Sequence, residues 1–181
     1  MAYVIINDPT GGLTSTVRCS NENTATKQYA TVTGGYQNTS SGKYSFIGGG
    51  QNNTSSCYNS VVGGGFSNTS SGFCSGILGG SLNVADGEFS FIGGGLQNTA
   101  SGLGSSVVGG QNNSATSNTA TVGGGLNNEA TNTGATVGGG STNIASGQLS
   151  IVAGGASNSA DDFYATVAGG SDNHATGVSS F

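Results

Sequence analysis

The chain has 181 residues, 36 of them glycine, and only 6% of its residues are charged, with a formal net charge of −5. Its three cations, Arg18, Lys27 and Lys43, lie in the first quarter and form no basic stripe, which argues against nucleic-acid binding. The longest apolar runs span only a few residues, too short to cross a membrane.

The N-terminal segment, residues 1–18, precedes the regular part of the sequence. It contains one apolar, β-prone run, formed by Tyr3, Val4, Ile5 and Ile6. It has neither the basic start nor the apolar stretch of a secretory signal. We expect the segment to attach the protein to another protein by adding to its sheet, the alternative being a simple cap on the first repeat.

Residues 19–181 form a repeat domain in which an asparagine recurs every 15 residues, as from Asn38 to Asn53. Six residues before each asparagine of the repeat lies valine or isoleucine, eight before lies serine or alanine, and four before lies glycine from Gly34 onward. Small or β-branched residues at alternate positions indicate strands, and the glycines exclude helix. The asparagine column consists of Asn38, Asn53, Asn68, Asn83, Asn98, Asn113, Asn128, Asn143, Asn158 and Asn173.

This period predicts an all-β fold, a parallel β-solenoid of about eleven coils. Each coil would contain a strand of about five residues, a Gly-Gly bend and a second short strand carrying the asparagine. Coils about 4.8 Å apart would give a rod of about 50–55 Å. The stacked asparagines are interpreted as a structural hydrogen-bond ladder next to the glycine turn.

The core of one coil is thin, because only one valine or isoleucine and a few small residues point inward. Leftover apolar residues, among them Phe46, Phe91 and Ile151, alternate with the inward column and need a cover. Aromatic residues such as Tyr29 and Phe163 also recur five and six positions after the asparagine. A partner copy is the simplest cover, so we expect a homotrimer.

The repeat resembles the head repeat of YadA-type trimeric adhesins, and similar arrays occur in phage fibre and virion-surface proteins. The matching positions in one copy are Ser90, Ile92, Gly94, Asn98, Ala100 and Gly102. The resemblance implies a left-handed parallel β-roll with three chains around one axis. It covers nearly the whole chain, but this repeat is about a residue longer and has asparagine where the adhesin repeat has a small residue.

No catalytic, cofactor or metal site is predicted. His174 is the only histidine and is assigned to a variable turn position, and Asp161 and Asp162 do not converge. Asp86 and Glu88 stand two apart and are interpreted as solvated charges, although a polysaccharide-cleaving spike would need two such carboxylates. An ice-binding surface is disfavoured because the threonine column seven before the asparagine is interrupted. The cysteines, Cys19, Cys57 and Cys74, lie in different columns and are interpreted as reduced small residues.

The preferred function is a structural, non-enzymatic virion surface protein, a capsid-decorating knob or short fibre joined to a capsid or tail protein by its N-terminus. A surface protein without an export signal is expected to be assembled in the host cytoplasm and released with the virion. The alternative is an adhesin or receptor-binding fibre head that binds a host glycan or protein through Tyr36, Phe66 and Leu96. That alternative would place the chain, as a fragment, on a bacterial surface.

Overall fold

The structure, a computed structural model, describes residues 22–181 and, before them, only the backbone of the strand Thr16–Val17. The proposed attachment residues Tyr3, Val4, Ile5 and Ile6 lie outside the described residues, as does Cys19. Every described strand is two residues long, and the described residues include no helix. The predicted all-β class is therefore confirmed.

The described strands form two parallel sheets of eleven strands each, and each coil contributes one strand to each sheet. The first sheet contains β1 Thr16–Val17, β3 Thr31–Val32, β5 Phe46–Ile47, β7 Val61–Val62, β9 Gly76–Ile77, β11 Phe91–Ile92, β13 Ser106–Val107, β15 Thr121–Val122, β17 Thr136–Val137, β19 Ile151–Val152 and β21 Thr166–Val167. The second sheet contains β2 Thr24–Ala25, β4 Thr39–Ser40, β6 Thr54–Ser55, β8 Thr69–Ser70, β10 Val84–Ala85, β12 Thr99–Ala100, β14 Ser114–Ala115, β16 Glu129–Ala130, β18 Ile144–Ala145, β20 Ser159–Ala160 and β22 His174–Ala175.

The register between neighbouring coils equals the step of the repeat, as the sequence predicts. Val32 pairs with Ile47 in the first sheet and Ser40 pairs with Ser55 in the second. A third parallel ladder of single bridges runs between the sheets and begins with Tyr36 and Gln51. Like residues therefore stack on like residues along the rod, which is the architecture of a parallel β-solenoid.

The expected strand of about five residues is wrong, because the chain turns too often to stay extended that long. In addition to a glycine of the bend, each coil has one left-handed residue just before the asparagine and another in the turn between the sheets. Gln37 has a φ of 54° and Tyr44 has a φ of 61°. Neither is glycine, and the turn position holds glycine only at Gly104 and Gly134, so the sequence signal for these bends is weak.

The interior is a stack of valine and isoleucine side chains between the two sheets. Ile47, Ile77 and Ile92 are among the largest fully buried side chains. Burial of each β-branched side chain contributes about 1.5–3 kcal/mol, and small residues fill the remaining space. The predicted buried column is confirmed from Val32 to Val167: Val32, Ile47, Val62, Ile77, Ile92, Val107, Val122, Val137, Val152 and Val167.

Two further buried columns, two residues after one asparagine and eight residues before the next, hold serine or alanine. In most coils both positions hold the same residue. Where both positions are serine, their hydroxyls hydrogen-bond, as in Ser40–Ser45 at 2.6 Å between the Oγ atoms and in Ser70–Ser75 at 2.7 Å. In three coils the first position is alanine and the second is still serine. The hydroxyls left without a hydrogen-bond partner are those of Ser90, Ser105 and Ser150.

Ser90→Ala should therefore stabilise the protein by about 1 kcal/mol, because it removes a buried hydroxyl without a partner. Ser75→Ala should destabilise it by about the same amount, because the Ser70 hydroxyl loses its bond. Urea unfolding followed by circular dichroism measures both. Equal destabilisation by the two variants would contradict the assignment of Ser90 as unpartnered.

Candidate functional surfaces

The asparagine ladder lies inside the rod and is occupied by the fold itself. The Asn98 side chain donates from Nδ2 to the carbonyl oxygens of Gly94 and Gly110, both at 2.9 Å. Its Oδ1 accepts the backbone N–H of Asn113 at 2.9 Å, and its own N–H donates to Oδ1 of Asn83. Asn98 is fully buried and both amide hydrogens are used, so this side chain is not offered to a ligand.

The other asparagines of the column, up to Asn158, repeat this arrangement, with one glycine partner in the same bend, one in the next coil, and an asparagine partner in the coil before. The left-handed residue is the one before each asparagine, such as Gln97 with a φ of 57°, and not the asparagine itself. The glycine carbonyls of the bend are therefore the main partners of the ladder, in addition to the stacking of amides expected from the sequence.

The apolar face is the outer side of the first sheet, formed by the residues seven and five positions before each asparagine. Phe46, Val61, Leu78, Phe91 and Val108 place one bulky side chain on it in each of five successive coils. The second position in those same coils is small: Gly48, Gly63, Gly76, Gly93 and Ser106. Between residues 31 and 168 neither column of this face contains a charged residue.

The hydroxyl face is the outer side of the second sheet, formed by the residues one and three positions after each asparagine. In four successive coils both positions are threonine or serine, from Thr24 to Ser71. In these coils the two columns hold threonine and serine without interruption, unlike the threonine column seven residues before the asparagine. Its members in those coils are Thr24, Thr26, Thr39, Ser41, Thr54, Ser56, Thr69 and Ser71.

The residues considered for chemistry are distributed over several columns of the solenoid. His174 is exposed and belongs to β22 on the hydroxyl face, so its assignment to a turn is wrong. Asp161 accepts hydrogen bonds from the hydroxyls of Ser146, at 2.8 Å, and Ser159. Asp162 accepts the backbone N–H of Phe163 at 2.7 Å. No group of three potential metal ligands occurs among the described residues.

The turn edge, formed by the residues five and six positions after each asparagine, holds a ladder of rings. Tyr29 and Tyr44 stack with centroids 4.8 Å apart, and Tyr58 and Phe73 stack at 5.4 Å. Edge-on contacts from Tyr44 to Tyr58 and from Phe73 to Phe89 complete the series. These rings, expected to need a partner chain, shield one another along the rod.

The corner edge lies beside the Gly-Gly bends and is formed by the residues two and one positions before each asparagine. It includes Tyr36, Phe66 and Leu96, the three positions that sequence analysis named for ligand binding. Gln51 lies between the first two of them. The column of single bridges consists of Tyr36, Gln51, Phe66, Ser81, Leu96, Gln111, Leu126, Ser141, Ala156 and Ser171.

The two described cysteines, Cys57 and Cys74, are free thiols. Cys74 Sγ is approached by the Asn59 side-chain amide at 3.7 Å. Within the described part of the chain, no helix is long and apolar enough to span a lipid bilayer.

No protein-family model matches this sequence, and a search of curated proteins found no significant relative. The solenoid is therefore established by its own geometry, and the adhesin-like resemblance stays an expectation.

Proposed function

We propose that the protein is a non-enzymatic structural rod of a virion surface, a homotrimeric capsid-decorating knob or short fibre. The observation that carries the proposal is the apolar face, which is free of charge between residues 31 and 168. Phe46, Phe91 and Ile151 are exposed on it in the single chain. Exposure of such a face to water is unfavourable, and depletion of charged residues is typical of the core of a protein interface.

Further copies of the chain are the partners that suit this face best. A copy aligned with the first has the same length and the same spacing of about 4.8 Å, so its coils can match one by one. The charged side chains of residues 22–181 then point away from the shared axis, because they lie on the hydroxyl face, on or next to the turn edge, and at the ends of the corner edge. Three copies around one axis also agree with the resemblance to trimeric head repeats.

A structural role without catalysis is supported by the local hydrogen bonds that some of the acidic residues accept. Asp161 and Asp162 serve as local hydrogen-bond acceptors for neighbouring hydroxyl and backbone groups. Asp86 and Glu129 lie on the hydroxyl face in different coils, three repeats apart. A glycosidase would instead need two carboxylates on either side of one sugar.

The oligomeric state tests this proposal directly. The natural protein should sediment as a trimer, and the double variant Phe46→Asp/Phe91→Asp should dissociate or aggregate because it buries two carboxylates without partners. The matched control, Thr54→Asp/Thr99→Asp, places the same charges on the hydroxyl face and should remain trimeric. A natural protein that sediments as a stable monomer would refute the trimer.

The virion location and the attachment by Tyr3, Val4, Ile5 and Ile6 are proposed from the sequence alone. Deletion of residues 1–12 should leave a soluble trimer that no longer joins the particle, as measured by mass spectrometry of purified particles. Normal incorporation of the shortened protein would show that the attachment lies elsewhere. Aggregation would indicate a cap on the first coil.

A further inference from the structure

The corner edge has a two-coil period that the one-coil repeat of the sequence does not require. Apolar and polar residues alternate along its column without a break, from Tyr36, Gln51 and Phe66 through to Ser171. The apolar members at the start of the column are bulky and exposed, Tyr36 at 40% and Phe66 at 44%. A column that only closed the solenoid would have no need for this alternation.

The backbone fixes the spacing of these side chains. Tyr36 and Phe66 each donate their N–H to a glycine carbonyl of the next coil, at 2.9 Å. The carbonyl oxygen of Tyr36 accepts the N–H of Asn52 at 3.0 Å. With coils about 4.8 Å apart, like side chains recur about every 9.6 Å along the column. The edge therefore presents a rigid and regular series of contact points.

The polar residues of the edge are amides and hydroxyls. Gln51, Asn52, Gln111 and Asn112 are exposed side chains that each offer both donors and an acceptor. The only charged residues of this edge within the described chain are Glu22 and Asp172, at its two ends. A neutral ligand rich in hydroxyl groups fits this chemistry, whereas an anionic chain would find no cation along the edge.

We propose that the corner edge binds one extended chain of a neutral β-1,4-linked polysaccharide, lying parallel to the rod. In such a chain each sugar is turned over relative to the previous one, so the same face recurs at every second sugar. The apolar C–H faces of alternate sugars lie on Tyr36, Phe66 and Leu96. The hydroxyls of the sugars between them meet the amides of Gln51 and Gln111.

The length of the edge sets the length of the ligand. The bulky apolar members extend from Tyr36 to Leu126, six coil steps or about 29 Å. With about one sugar per coil, a hexasaccharide covers all but one of these positions and reaches three apolar contacts, whereas a disaccharide reaches only one. Affinity therefore rises with chain length, because each added pair of sugars gains another contact on a surface that is already ordered.

The turn edge provides the matched control. Tyr44 and Phe73 are each 40% exposed, close to the exposure of Tyr36 and Phe66. Their rings, however, stack against Tyr29 and Tyr58, so the stacked ring faces are not free for a sugar. Substitution of either pair by alanine removes two exposed aromatic rings from the protein, but only one pair removes the proposed contacts.

The experiment is titration calorimetry of the natural protein, in its own assembly, with cellohexaose and chitohexaose. At least one should bind, more tightly than its trisaccharide. Tyr36→Ala/Phe66→Ala should weaken binding at least tenfold, whereas Tyr44→Ala/Phe73→Ala should change it less than twofold. The proposal is overturned if neither hexasaccharide binds at millimolar concentration, if the two double variants lose binding equally, or if the α-linked maltohexaose binds as well. Sedimentation decides the trimer separately, so failure here leaves the structural rod intact.

Discussion

Gly110→Ala is expected to destabilise the protein by about 3 kcal/mol or more, whereas Gly109→Ala should have little effect. Gly110 has a φ of +86°, where an L-residue is strained. A Cβ there would also overlap the carbonyl oxygen of Gly125 in the next coil and approach Nδ2 of Asn113 to 2.6 Å. A Cβ on Gly109 would meet no atom within 4 Å.

The two variants are measured side by side by urea unfolding and by far-ultraviolet circular dichroism. Gly109→Ala is the control for the loss of a glycine and for the change in the unfolded chain. If Gly109→Ala were as destabilising as Gly110→Ala, the open space beside Gly109 would not be present in solution.

The sequence does not distinguish these two glycines, since both occur in every complete copy of the bend. The difference arises between coils, where the carbonyl of Gly125 lies over Gly110 and leaves Gly109 free. A pattern read along the chain identifies which residues recur, but not which atom of the next coil faces each one. The two glycine columns of the bend, four and three residues before the asparagine, therefore differ strongly in the cost of a substitution, and the column used to predict the fold is the one that contains Gly109.

The architecture itself was predictable because a constant step, without insertion or deletion, forces like residues into register. Alternation of Val32 with its neighbours identified the buried side of the strand, and the structure confirms it. The length of the strands was not predictable. It depends on left-handed residues such as Tyr44 and Thr119, which are neither glycine nor asparagine. Only the geometry of the stacked coils makes these conformations necessary.

The outer surfaces were predictable only in part. Phe46 and Phe91 were recognised as leftover apolar residues, but Leu78 and Val108 were missed because they lie two positions further along. Only the fold shows that both positions share one face, so that a bulky residue at either position contributes to it. The two-coil period of the corner edge was missed because the sequence was compared one coil at a time, so that Tyr36 and Gln51 counted as variation at one position.

Asn98→Ala is expected to destabilise the protein by about 3–5 kcal/mol, because it removes three hydrogen bonds and leaves one buried and one part-buried backbone group unpaired. The N–H of Asn113 loses the Asn98 Oδ1 acceptor, and the carbonyl of Gly94 loses the Nδ2 donor. The carbonyl of Gly110 is affected less, since it still accepts the N–H of Leu96 at 2.9 Å.

The position of Asn98 near the middle of the rod adds a second expected result. Each coil contacts only its neighbours, so a defect in one coil weakens the coupling between the two halves. The urea transition should therefore become broader or split into two steps, with a lower m-value than that of the natural protein.

Gln97→Ala is the matched control, because Gln97 is adjacent, exposed and left-handed with a φ of 57°. Alanine keeps the Cβ at that position, so the backbone strain is unchanged and the effect should stay within about 0.5 kcal/mol. A loss for Asn98→Ala no larger than that for Gln97→Ala would show that the asparagine ladder does not stabilise the solenoid. The recurrence of asparagine in every coil would then need another explanation, such as selection for folding or for assembly.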